Sequence, residues 1–355
     1  IKMYNSNDIT YPLISWYKLY KRDLPWRRDF NHANTPYNIL VSEFMLQQTT
    51  VNSVIDHYNR FIDRWPDLKI FSDATEDEVL EMWSGLGYYS RGTNLLKTCK
   101  IINEQYQGKV PNSMDILKTL PGIGDYISSA IVSIAYDMPS QAVDTNIQRV
   151  ITRYFSLKYD DPTKNKKNVQ DIIFELTSHD SPREVIQGLM DLGSKFCKPR
   201  EVHCKECPLN DGCVAFSNKF FDYSKVKKQK KIPIKYGYVF LIKKSNGSYM
   251  ITKRSSKGVL ANTYQFPTSE WQEEIQIQGL IKSSRKNYGA YHEIASINHQ
   301  FSHFKLELKI INVTKYNSEF LDSSITFGGK WVFPDELNKM GFSSLMKKVF
   351  PYLGY

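Results

Sequence analysis

Long apolar runs are missing from this chain of 355 residues: nowhere do eighteen or more apolar residues follow one another, which leaves no candidate for a membrane-spanning helix. The opening stretch IKMYNSNDITYPLISWYKLYKRDLPW lacks the basic, apolar and small-residue order of a secretory signal, and the chain reads as intracellular. Acidic residues fall short of basic ones, 37 Asp and Glu against 47 Lys and Arg, leaving a net charge of +10. No basic amphipathic anchor or lipidation signal accompanies that charge, so the polyanion it suits is nucleic acid before membrane. Internal repeats are absent too. A hydrophobic content of 41% with 14% aromatics fits a folded protein long enough for two domains, each with its own core.

Cysteine is scarce, five in all, yet four of the five crowd into CKPREVHCKECPLNDGC. Cys197, Cys204, Cys207 and Cys213 are separated by six, two and five residues. Without a secretory signal, paired disulfides in so short a span are disfavoured against thiolate ligation of a soft metal. Zinc sites usually show two close pairs. One close pair flanked by two longer gaps suits an iron-sulfur cluster, with zinc left open as the alternative. Cys99, alone in the helical pattern LLKTCKII, reads as a packing residue.

Helical periodicity dominates residues 8–216, with apolar positions at spacings of three and four in PYNILVSEFMLQQTTVNSVIDHYNRFIDRW and DEVLEMWSGLGYYSRGTNLLKTCKIINEQY. This predicts an all-α domain over residues 1–216. Six lysines between Lys225 and Lys235 mark a linker over residues 217–234. Beyond it, YGYVFLIKKSNGSYMITKR predicts a hairpin turning at Asn246-Gly247. EIASINHQF and FKLELKIINVTKY read as strands, with Phe304, Leu306, Leu308 and Ile310 on one face. SSLMKKVFPYL reads as a closing helix, so residues 235–355 form an α+β domain.

Three places carry chemistry. In LPGIGDYISSAIVSIAYDM the Pro-Gly-Ile-Gly turn opens a helix, and Gly122 and Gly124 either make a tight interhelical turn or leave amides free for a backbone phosphate. Glu43 lies within an apolar helical stripe, four residues after Ile39 and three before Leu46, where burial raises a carboxyl pKa. Asp144 stands directly before a helical pattern and suits an N-cap, where amides and helix dipole favour its anion. One neutral acid and one anion can expel a leaving group and stabilise an oxocarbenium-like sugar. Taken singly, Asp144 could be only a cap, and Glu43 only the partner of an arginine such as Arg27.

In this order, LPWR (24–27), SEFMLQQT (42–49), GLGYYSR (85–91), LPGIG (120–124), VDTNIQRV (143–150) and the four cysteines resemble the MutY-type adenine DNA glycosylases, of the helix-hairpin-helix superfamily that includes endonuclease III. The resemblance spans the helical half. It implies a 4Fe-4S cluster held structurally by Cys197, Cys204, Cys207 and Cys213, with Lys198, Arg200, His203 and Lys205 suited to phosphate contact. It further implies that Glu43 protonates the adenine and that Asp144 stabilises the sugar cation. Trp26, Arg27, Leu46 and Gln48 would belong to the adenine pocket and wedge, and Tyr88 would insert into the base stack once the target is flipped out. Strand-cleaving members of the superfamily place a Schiff-base lysine two residues after the second glycine of the hairpin. Here Tyr126 takes that place among the catalytic candidates, and a monofunctional enzyme is expected.

The C-terminal half resembles the Nudix-like domain of the same family, and Phe301-Ser302-His303 is similar to its loop reading 8-oxoguanine. No acidic Nudix hydrolase helix is present, so the domain is expected to read rather than cut. The implied function is hydrolytic removal of adenine mispaired with 8-oxoguanine or guanine. The expected partner is double-stranded DNA carrying that mispair, with no membrane partner, and the expected state is a monomer. Departures from the family pattern are Thr145, where glycine is usual, and Asp191 in LMDLG, where the family has a glutamate, which puts the adenine contact implied for Asp191 in question.

Overall fold

The computed structural model describes residues 4–28, 30–157, 161–219, 221, 232–273, 291–315 and 328–354. Its helices begin with α1 (Asn7–Tyr20), α2 (Thr35–Leu46), α3 (Val51–Arg64), α4 (Leu68–Ser72), α5 (Glu76–Met82) and α6 (Ser90–Gln105). They continue with α7 (Met114–Lys118), α8 (Asp125–Ala130), α9 (Thr145–Tyr154), α10 (Pro162–His179), α11 (Pro182–Lys195) and α12 (Val214–Ser217). Two compact units result, one of Ile1–Asp73 with Asn94–Lys228, the other of Ala74–Thr93 with Gln229–Tyr355. Helix α5 and the GLGYY stretch therefore group with the C-terminal strands, which no periodicity in the sequence signals. Of the expected linker 217–234, residues 220 and 222–231 lie outside the described residues.

In the first unit, local sequence sets the helix ends. Asp67 accepts from the Ile70 amide to start α4, and Ser181 from the Glu184 amide to start α11, where Pro182 occupies the first turn; each cap satisfies an amide the helix cannot. Helix α3 buries Val54, Tyr58 and Phe61 on one side, the spacing of an amphipathic helix. Phe61, Trp65 and Phe71 pack ring against ring with centroids 4.8–5.2 Å apart. Helix α8 continues into a π-helical turn, Ile131–Ala135, which shifts the hydrogen-bond register. Buried hydroxyls meet there: Ser140 donates to the Ser129 carbonyl at 2.8 Å, its Oγ lies 2.5 Å from that of Ser133, and Thr177 donates to the Ser140 carbonyl at 3.1 Å. The chain leading to Asp144 is thereby pinned by side chains as well as backbone.

Among the described residues, the second unit carries two three-stranded sheets. In one, β1 (Ile234–Ile242) lies parallel to β5 (Lys305–Val313), which is antiparallel to β4 (Tyr291–Gln300). In the other, β2 (Tyr249–Lys253) lies between β3 (Tyr264–Gln265) and β6 (Lys330–Val332), antiparallel to both. Leu306, Leu308 and Ile310 are buried on β5 as their alternation predicts. The predicted hairpin is only partly formed. Its turn is present, with Gly247 at φ +91° and Asn246 Oδ1 accepting from the Ser248 amide at 3.1 Å. Beyond a single bridge between Lys243 and Tyr249, however, β1 and β2 go to different sheets. Strand β1 is buried at all of its last six positions, the mark of a strand covered on both faces rather than a half-exposed hairpin arm. Near the C-terminus, α13 (Pro334–Leu337) and α14 (Ser344–Lys347) precede a 3-10 turn at Phe350–Tyr352.

Candidate active site

A cavity of about 520 Å³ opens in the helical unit, lined among others by Trp26, Arg27, Glu43, Leu46, Gln48, Tyr126, Asp144 and Gln187. Its volume suits a flipped base and its sugar. Glu43 comes from the buried last turns of α2, Tyr126 from the first turn of α8 and Asp144 from the N-cap of α9. Three stretches far apart in sequence thus deliver the three catalytic candidates to one space. Trp26 sits edge-on to Tyr58 with centroids 5.2 Å apart, which fixes one wall. Gln48 follows α2 with a φ of +52°, where the chain turns sharply out of the helix.

Glu43 is only 6% exposed. Burial pushes its carboxyl up to about 7; the negative field of Asp144 adds to the rise, while the Tyr126 hydrogen bond and the Arg27 charge oppose it. The Tyr126 hydroxyl is itself held neutral, raised well above its ordinary range first by burial and then by Glu43 and Asp144. Asp144 is dressed differently. One carboxylate oxygen accepts from the Ile147 amide at 2.7 Å and the other from Asn146 Nδ2 at 2.9 Å, so donors and a helix N-terminus face it. The cavity therefore sets a buried acid raised to about 7 beside a half-buried carboxyl group that accepts from an amide and an asparagine.

Asp191 takes another role than the expected one. It does not line the cavity: one oxygen pairs with Arg22 at 2.6 Å and the other with Arg27 at 2.7 Å, and its side chain is 2% exposed. A contact between Asp191 and the base is corrected to a positioning role, since both oxygens are committed to the guanidinium groups that frame the pocket. Arg27 is thus ion-paired to Asp191 and acts on Glu43 through its charge. Sequence reading missed Gln187, on α11, which is 1% exposed and lines the same cavity. Its Oε1 has no hydrogen-bond partner among the described residues, which leaves an acceptor for a base edge. The signal was a polar residue on the apolar face of IQGLMDLG.

Gly122 and Gly124 lie outside the cavity, on the turn into α8. Gly122 has a φ of +81°, and a Cβ there would stand 2.8 Å from Phe44, whereas Gly124 faces open space. Tyr88 and Phe301-Ser302-His303 belong to the second unit. There, Tyr88 is 41% exposed at a φ of +48°, and its hydroxyl lies 2.7 Å from Ser302 Oγ. Ser302 and His303 form the exposed tip of the β4–β5 turn, closed by the Phe301 amide donating to the Phe304 carbonyl at 2.9 Å.

Cys197, Cys204, Cys207 and Cys213 line one cavity beside Arg153. Burial pushes the Cys207 thiol up to about 12, and the other three thiols add to that rise. Arg153 donates to Cys197 Sγ at 3.3 Å and to the Lys198 carbonyl at 2.8 Å. Four sulfurs that repel one another as thiolates suit a soft cationic group. No set of three or more His, Cys, Asp or Glu among the described residues stands at metal-ligating geometry, so the donor set and the shared cavity carry that fit. Arg149 ties this loop to the carboxylate: it donates to the Cys197 carbonyl at 2.5 Å and to Asn146 Oδ1 at 2.7 Å, and Asn146 holds Asp144.

Residues 41–175 match the HhH-GPD superfamily of base excision DNA repair proteins, and residues 238–351 match the NUDIX domain. An adenine DNA glycosylase of Buchnera aphidicola subsp. Schizaphis graminum is 32% identical over 341 residues, 95% of this chain and 96% of its own length. The chain belongs to the adenine DNA glycosylase family. As a member of that family it is a DNA glycosylase, and its cavity is the candidate site of base excision. A thymine-DNA glycosylase of Aeropyrum pernix is 37% identical over 214 residues, 58% of this chain and 93% of its own length. The structure of a thermostable thymine-DNA glycosylase superposes with a TM-score of 0.54 at 26% identity, over 60% of this chain and 97% of that one. Adenine DNA glycosylases thus share their helical architecture with enzymes named for another base, and the choice of base must come from particular side chains. No helix among the described residues is long and apolar enough to cross a membrane.

Proposed function

We propose that this DNA glycosylase removes adenine mispaired with 8-oxoguanine, and less selectively with guanine, by hydrolysing the N-glycosidic bond of a base flipped out of double-stranded DNA. The observation that carries the reading is the pairing of a buried Glu43, raised to about 7, with a hydrogen-bonded Asp144 across one base-sized cavity. Glu43 gives its proton to the departing base, which leaves neutral. Asp144 opposes the positive charge that develops on the deoxyribose. Water then attacks the sugar, directly or after a transient bond to Asp144. Tyr126 donates to Glu43 and stands where a lysine nucleophile would be needed for strand cleavage, so the enzyme is monofunctional. Gln187 Oε1 accepts from the exocyclic amino group of adenine, and Trp26, Leu46 and Gln48 wall the base.

In this reading the basic balance of the chain and the Gly122–Gly124 turn serve the DNA backbone. Tyr88 fills the stack, and the Phe301-Ser302-His303 turn reads the opposite base. Cys197, Cys204, Cys207 and Cys213 hold a 4Fe-4S cluster that fixes the loop next to Arg149 and Arg153 without entering the reaction. The protein acts as a monomer. The test is base release from duplexes with adenine opposite 8-oxoguanine, guanine or thymine, and thymine opposite guanine, each with and without alkali, alongside iron and sulfide analysis of the purified protein. Adenine release that prefers 8-oxoguanine, with strand breaks only after alkali, is the expected result. Thymine release, or none, overturns the base assignment, and zinc in place of iron and sulfide overturns the cluster.

A further inference from the structure

The β4–β5 turn rests on a cluster of aromatic rings. Trp271, on the segment after β3, packs against Phe301 with centroids 5.8 Å apart and against Phe304 at 6.1 Å, and those two rings meet at 4.7 Å. Phe301 and Phe304 are the residues on either side of Ser302-His303, so the indole touches both legs of the turn. His299 adds an edge-on contact to Phe301 at 4.7 Å. The guanidinium of Arg254 sits 4.6 Å from the centre of the indole and is held by the Val259 carbonyl at 3.0 Å and Gln265 Oε1 at 2.7 Å. Strand β1 supplies Gly237, where a Cβ would come within 2.8 Å of the indole. The Trp271 N–H is buried with no hydrogen-bond partner among the described residues. The ring is therefore held by tilted ring contacts and by the cation over it, both of which depend on its place.

We infer that Trp271 is a positioning residue for opposite-base selectivity: through Phe301 and Phe304 it fixes the height and tilt of the turn that presents Ser302 and His303. This rests on the reading of that turn as the opposite-base sensor. Ser302 already meets Tyr88 at 2.7 Å, and a two-residue tip has little of its own to keep its hydroxyl and imidazole in register. A shelf built of Trp271, Arg254 and Gly237 supplies the constraint.

The test uses the full-length protein and compares single-turnover adenine release opposite 8-oxoguanine with release opposite guanine at saturating enzyme. Trp271→Ala should lower the 8-oxoguanine preference about threefold to tenfold, the effect of losing one well-placed hydrogen bond, and leave release opposite guanine near the wild-type rate. Trp271→Phe should restore most of the preference. Gly237→Ala, which keeps the indole but pushes it, should act in the same direction and serves if Trp271→Ala does not fold. If Trp271→Ala and Gly237→Ala keep the full preference while Ser302→Ala lowers it, the positioning role is refuted and the reading turn stands. If Ser302→Ala also keeps it, the reading turn itself is wrong.

Discussion

Replacing Glu43 with glutamine separates its chemistry from its cost to the fold. The carboxyl is raised from its ordinary 4.5 to about 7, and at about 1.4 kcal/mol per pH unit this amounts to about 3 kcal/mol. The sign follows from which state binds the proton more tightly. Below about pH 4.5 Glu43 is neutral in the folded and the unfolded chain alike, and its burial carries no ionisation penalty. Between 4.5 and 7 only the unfolded chain releases the proton, so stability drains away as the pH rises, and above 7 the full penalty is in place. Glu43→Gln cannot ionise. Its stability relative to wild type should therefore climb from near zero at pH 4.5 to about 3 kcal/mol at pH 8, measured by urea unfolding followed at the helical signal. The same variant should bind the mispaired duplex and release no adenine. In the wild type, release should fall as the pH passes about 7 and the acid loses its proton. An unchanged gap between variant and wild type from pH 5 to 8 would falsify the burial argument, and wild-type excision by Glu43→Gln would remove the acid.

Asp144→Asn keeps a residue that caps α9 equally well, so stability should stay within about 1 kcal/mol while base release drops at least about a hundredfold, as loss of a charge-stabilising group does; unfolding and single-turnover assays read the two separately. Asp191→Asn leaves Arg22 and Arg27 without their shared anion and should cost about 3 kcal/mol, with weaker binding of the mispaired duplex as the pocket wall loosens; a near-neutral unfolding midpoint would contradict the positioning role. Gly122→Ala combines a positive φ with a Cβ 2.8 Å from Phe44 and should destabilise by about 2 kcal/mol, whereas Gly124→Ala meets open space and should cost under about 1 kcal/mol by the same unfolding assay.

Much of the helical unit was legible because burial and capping leave local marks. Glu43 sits between Ile39 and Leu46 in an apolar stripe, and Asp144 precedes Ile147, Val150, Ile151 and Tyr154 at helical spacing, so both environments follow from one stretch each. Three-dimensional pairings left no such mark. That Asp191 belongs to Arg22 and Arg27 depends on α11 meeting the segment after α1, 169 and 164 positions earlier. That Gln187 Oε1 finds no partner among the described residues depends on what fails to reach it. The hairpin expectation went wrong for a related reason: Asn246-Gly247 fixes a turn, but which strand pairs with β1 is decided by β5, whose Leu306, Leu308 and Ile310 lie far down the chain. The grouping of 74–93 with the C-terminal strands is likewise a choice of partner and not of local propensity.

That grouping bears on whether the C-terminal half is a detachable cassette. Within the unit, Asp77 accepts from the Tyr264 hydroxyl at 3.0 Å and pairs with Lys253 at 3.4 Å. The Ser344 amide donates to the Tyr89 hydroxyl at 3.2 Å, and Gly341 lies so close to Leu80 that a Cβ there would stand 2.6 Å away. A stop codon after the cysteine loop would therefore not cleanly remove one module: it would take Gly341 away from Leu80 and leave Asp77 and Tyr89 without these bonds. Shortening the gene by that route demands compensating changes in the α5 to GLGYY segment first, and a protease nick between the cysteine loop and β1 should yield two pieces that travel together through a sizing column.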